Sequence, residues 1–147
     1  MKRLPPILRI SSFCARLLPC LLAAAPAAAA DHYQREAGEN TVSFVSEDGL
    51  KRAELRLLEA AAHLPTTRAL ALNLMDSLQG YELTADVSLR GFSFKYVDNG
   101  PCAGLVTYYD GVRSLFFTAC GNVGEDELLS LYREGGEQLR LGGERRP

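Results

Sequence analysis

The sequence predicts an α+β domain: a small antiparallel sheet of about four or five strands, with a long helix before it and a short helix after it, closed by one disulfide. Three observations predict this fold. Residues 81–97 alternate apolar and polar side chains almost without exception. Cys102 and Cys120 stand at equal distances from Gly111 in PCAGLVTYYDGVRSLFFTACG. Leu50, Ala53, Leu57, Ala61 and Leu64 recur at helical spacing between Ser46 and Pro65.

The first thirty residues stand apart from the domain. Lys2, Arg3, Arg9 and Arg16 precede an apolar run from Leu17, which ends among alanines at Ala28 and Ala30. This order is that of a secretory signal peptide, cleaved after Ala30, so that the mature chain starts at Asp31. The run is broken by Pro19 and Pro26 and is shorter than the roughly 20 apolar residues that a spanning helix needs. No membrane span is therefore expected after cleavage. Acylation of Cys20, as in a lipoprotein, is disfavoured by Pro19 at the preceding position. Residues 31–40 are polar and unpatterned and are expected to form a flexible arm. A single domain is expected over 41–135, with residues 136–147 as a disordered tail.

Within that domain the first strand is TVSFVS, with Val42 and Phe44 on one side. The long helix follows: Ser46 is a suitable N-cap, Glu47 and Asp48 suit the positive end of the helix dipole, and Pro65 ends it. The segment 66–79 fits a helix capped by Thr67 and stopped by Gly80, although Leu70, Leu72 and Leu74 also alternate as a strand would. Tyr81–Arg90 and Phe92–Val97 are expected to pair about a loop at Arg90-Gly91, which sets Val87 opposite Phe94.

Asp110-Gly111 marks a second hairpin. A regular two-residue loop there would place Cys102 opposite Ala119 and turn Cys120 to the other face. A three-residue loop or a bulge, for which Gly104 is the expected site, sets Cys102 directly opposite Cys120. The short C-terminal helix begins after Gly124, runs along Leu128, Leu131 and Tyr132, and is expected to stop at Gly135.

Charge and chemistry narrow the function. Four of the sixteen basic residues precede residue 31, which leaves twelve against eighteen acidic ones and a net charge of −6 for the mature chain. An acidic domain argues against nucleic acid as a partner. Two cysteines retained after export predict a disulfide, Cys102–Cys120, and a periplasmic or secreted location. Their wide spacing on strands does not suit a redox-active pair.

His32 falls in the arm and His63 in the last turn of the long helix, with no companion at metal-ligand spacing. No metal, no cofactor and no catalytic residue is expected, and an enzyme is the less favoured class. Both faces of the stapled hairpin are apolar. Segment 66–79 is expected to cover one of them, or a partner does. The binding residues expected on its outer face are Tyr108, Tyr109, Arg113 and Phe116, since aromatics and arginine dominate recognition patches. The expected function is an exported binding module acting on a protein partner, as an inhibitor, an immunity-type protein or an accessory of bacterial envelope assembly. The runner-up is a ligand-binding or hydrolytic domain with a pocket in the sheet.

Overall fold

Where helical spacing suggests a long helix, the chain instead makes a β-hairpin. In a computed structural model, which describes residues 32–59 and 66–144, β2 (Thr41–Ser46) pairs antiparallel with β3 (Arg52–Glu59), Phe44 opposite Ala53 and Val42 opposite Leu55. The residues that resemble a helix cap serve the turn between the strands. Asp48 Oδ1 accepts the Ser46 hydroxyl at 2.6 Å and the Leu50 N–H at 2.9 Å, and Ser46 Oγ accepts the Lys51 N–H at 3.0 Å. A short side-chain oxygen that satisfies nearby backbone donors can begin a helix or close a turn. Gly49, with φ at +73°, decides for the turn. Ala53, Leu55 and Leu57 then alternate inward, and Leu50 stands 75% exposed. The remainder of the expected helix, with His63 and Pro65, lies outside the described residues, as do the expected signal peptide and the last three residues of the chain.

The expected arm also carries structure, because Tyr33–Ala37 forms β1 and pairs along β2. Helix α1 (Thr67–Ser77) occupies the segment that sequence alone left between helix and strand. Its N-cap is Thr66, one residue before the expected cap, with Oγ1 accepting the Ala69 N–H at 3.0 Å. At its end Gln79 adopts the left-handed conformation expected of Gly80. Gly80 is needed for space instead, since a Cβ there would come within 2.9 Å of the Lys95 carbonyl and the Phe94 ring.

β4 (Tyr81–Asp86), β5 (Gly91–Val97), β6 (Pro101–Asp110) and β7 (Arg113–Cys120) follow as a meander. The first of these hairpins closes through a four-residue loop, Val87–Arg90, so Ala85 faces Phe92 rather than Tyr96. That shift of an even number of residues leaves Ala85 on the Phe92 face, but an irregularity between Tyr81 and Thr84 sets Tyr81 opposite Lys95, and Val87 passes into the loop. In the second hairpin Cys102 lies directly opposite Cys120 and the two are bonded. The register correction comes from an irregularity at Tyr109, between Tyr108 and Asp110, and the turn residues are Gly111 and Val112. Gly104 stays in regular pairing, where its missing Cβ makes room for the Phe94 ring.

Among the described residues the sheet therefore has seven antiparallel strands in the order β1-β2-β3-β7-β6-β5-β4, not four or five, with two helices, and residues 52–59 are a strand where the long helix is expected. The chain leaves β3, passes through α1 to the far edge and returns until β7 docks on β3. Helix α2 (Glu125–Glu144) is longer than expected and runs through Gly135-Gly136 into the predicted disordered tail. Leu128, Leu131, Tyr132 and Leu139 supply an apolar stripe past the glycines, and tertiary packing overrides their weak helix propensity.

The helices cover opposite faces in a staggered way. α2 sets Leu131 on a core of Val42, Phe44, Leu55, Leu105 and Phe117, whereas α1 sets Leu70 and Ala71 on Phe94, Tyr96, Cys102 and Val106. Segment 66–79 is thus the cover of the hairpin's second face. Among the described residues two quadrants of the sheet are left without a covering helix: one beside β2 and β3 opposite α2, and one beside β4 and β5 opposite α1.

The start of α2 is tied down by one carboxylate. Glu127 accepts the Tyr33 hydroxyl at 2.6 Å, Lys51 Nζ at 3.1 Å and the Gly124 N–H at 3.3 Å, the last being the reach-back half of a capping box. Burial raises the Glu127 pKa, but the hydrogen bonds from Tyr33 and Lys51 outweigh it and hold the group below the usual carboxylate range. A depressed folded-state pKa contributes stability above the unfolded value of about 4.3, lost as pH falls through the folded one. Glu127→Gln is therefore expected to lower stability by about 1 kcal/mol at neutral pH, with the gap to wild type closing below about pH 4. Urea midpoints between neutral and acid pH check this, and a gap that stays constant refutes it.

Candidate functional site

The β6–β7 turn and the β4–β5 loop meet at one end of the sheet, where the Tyr108 N–H donates to the Arg90 carbonyl at 3.3 Å. Each contributes an apolar side chain to solvent: Val112 is 66% exposed and Val87 88%. Tyr108, 51% exposed, stands beside them at the end of β6. Among the described residues none of these three apolar side chains packs into either core, so their exposure at the strand ends has no packing explanation there.

Arg113 is paired and stacked at the same tip. Its Nε donates to Asp110 Oδ2 at 2.9 Å, its Nη2 reaches the same oxygen, and its guanidinium lies 5.1 Å over the centre of the Tyr109 ring. Hydrogen bonding from Arg113 holds the Asp110 carboxyl below its ordinary range, and the same contact raises the Arg113 pKa. Both groups therefore stay charged across physiological pH. Tyr109 leans onto the edge of the α2-side core, which fixes the ring beneath the cation. A stacked arginine with few conformations left to lose is a preorganised contact.

Of the residues that sequence singles out, Tyr109 and Arg113 are in contact here, Tyr108 lies at the same end of β6 opposite Ser114, and Phe116 stands apart. Phe116 sits further down β7, opposite Val106 and stacked with Phe94 at 6.4 Å between ring centres, as part of the packing under α1. Even alternation places it on the same face as Tyr108, but α1 reaches one residue and not the other. Val87 and Val112 were missed: strict alternation assigns Val87 to the inside of a strand, and only the longer loop frees it. Val112 carries the one legible signal, an apolar residue directly after Asp-Gly.

Among the described residues no three His, Cys, Asp or Glu side chains gather as metal ligands, and no helix is long and apolar enough to cross a membrane. Fold and site together describe a disulfide-bonded α+β protein with an aromatic and arginine-bearing tip at one end of its sheet. The chain matches no protein-family model and no curated protein.

Proposed function

We propose that this chain is an exported, disulfide-stabilised binding module that recognises a protein partner through the tip formed by Tyr108, Tyr109, Val112, Arg113 and Val87. The single observation that supports this most is the company kept by the exposed apolar residues: two valines and a tyrosine beside an arginine already stacked and paired. Interfaces favour aromatic and arginine anchors in this setting, with the surrounding contacts acting mainly to exclude water. Export to the periplasm or beyond rests on the basic-apolar-alanine order of the first thirty residues and agrees with a bonded cysteine pair. In that compartment an inhibitor, an immunity-type protein or an accessory of envelope assembly needs a stable scaffold and one recognition patch.

Tyr108→Ala tests the reading. Partner recovery from envelope extract should fall by roughly thirtyfold, corresponding to about 2 kcal/mol, with the melting temperature nearly unchanged because half the side chain is already in water. Equal recovery by the variant, or a melting temperature many degrees lower, rejects the tip as the recognition surface.

A further inference from the structure

The open quadrant opposite α1 contains a groove of about 370 Å³ between the sheet and the first turns of α2. That volume lies at the lower end of the range for binding pockets, roughly 300 to 1,000 Å³. Its floor is apolar, made by Ala103, Leu105 and Phe117, and its helical wall is Leu128 and Leu129. Leu128 also packs into the α2-side core, whereas Leu129 joins neither core among the described residues and lines only the groove. The fold gains no core contact from an apolar side chain there.

The rim is acidic. Glu82, Asp86 and Glu125 stand around it with Lys95, and Lys95 Nζ already donates to Glu82 Oε2 at 2.7 Å. The charge left over is negative and belongs to Asp86 and Glu125. Asp86 is kept ionised, held below the usual carboxylate range by the Leu89 N–H and the Ser88 hydroxyl. β4 is the outermost strand, so the groove is open along the edge of the sheet and a chain can pass through it.

We propose that this groove binds a lysine or arginine side chain flanked by an apolar residue, carried on an extended segment of a protein partner. The apolar neighbour covers Leu105 and Leu129 while the cation meets Asp86 and Glu125 at the rim, and anionic ligands are repelled. The open edge favours a polypeptide that continues past the sheet over a small amine that ends within it. The site does not depend on the tip: the two surfaces share only the loop Val87–Arg90.

The test is amide NMR of the purified protein titrated with the peptides Ac-Leu-Lys-Leu-Lys-NH2 and Ac-Leu-Glu-Leu-Glu-NH2, and with hexylamine. The lysine peptide should move the amides of Ser93, Ala103 and Leu129. Its affinity should fall about tenfold in Glu125→Lys and about fivefold in Leu129→Ser, and stay unchanged in Tyr108→Ala. Should Glu125→Lys fail to fold, Leu129→Ser decides alone. Equal binding of the glutamate peptide, hexylamine binding as tight as the lysine peptide, or no movement at Ser93 and Ala103 overturns the proposal. Each of these outcomes is separate from a failure of the tip, which Tyr108→Ala reads against the natural partner.

Discussion

Replacing Cys102 and Cys120 together by serine is expected to lower the free energy of unfolding by about 3 kcal/mol. The bond joins residues 18 apart, and cross-linking them removes loop-closure entropy from the unfolded chain. In this fold it has a second effect. Cys102 and Cys120 face each other across β6 and β7, the strands through which the returning meander is joined to β3. The bond thus fixes the register of the pair on which the continuity of the sheet depends. A loss of this size is a large part of the 5 to 15 kcal/mol that holds an ordinary domain folded. Chemical denaturation of the double variant measures it, and reduction of the wild type with a dithiol should reproduce the same loss. Tip binding, measured well below the melting temperature, should survive, because neither sulfur contacts Tyr108 or Arg113. If the reduced wild type proves as stable as the oxidised protein, the bond has no such role.

How far the sequence is legible depends on how local each decision is. The hairpins of β4–β7 are readable because alternation marks the strands and the cysteine pair fixes parity, although the longer loop releases Val87 and an irregularity in β4 turns Tyr81 to the Lys95 face. Residues 46–59 mislead for a physical reason. Lys51, Arg52, Ala53, Glu54 and Leu55 all favour helix intrinsically, and Ser46 and Asp48 carry cap chemistry that serves a turn equally well. What makes them a strand is a partner far along the chain, since β3 is held between β2 and β7 with Leu55 opposite Phe117. Tertiary pairing of that range overrides local preference, and its one mark within the segment, the alternation of Ala53, Leu55 and Leu57 with Arg52, Glu54 and Arg56, is masked by the helical spacing that the same residues share. The tip shows the same division: Tyr108, Tyr109 and Arg113 stand out by composition beside Asp-Gly, whereas Val87 joins them only once its loop is seen to have four residues. The groove is not legible at all, because it exists only where α2 passes above strands from another part of the chain.

Gly135 and Gly136 are adjacent in one helix and should respond in opposite ways to substitution. Sequence suggests that the helix stops at Gly135, yet α2 continues past both glycines, and their surroundings differ. At Gly135 a Cβ would lie 3.1 Å from Leu55 Cδ2 and 3.4 Å from the Phe44 ring, so the helix backbone itself rests on β2 and β3. Both residues beneath it are fully buried and have no space to move into. Gly135→Leu must lift α2 from the sheet or force its neighbours out of their rotamers, and a loss of about 3 kcal/mol is expected. At Gly136 nothing lies within 4 Å of the added Cβ. The gain there is in the unfolded state, where alanine has less conformational freedom than glycine to lose, so Gly136→Ala should stabilise the protein by up to about 1 kcal/mol. Paired thermal and urea unfolding of the two variants tests the packing of α2 directly. If Gly135→Leu is tolerated as well as Gly136→Ala, the helix does not pack on Phe44 and Leu55, and the wall it lends to the groove must be abandoned with it.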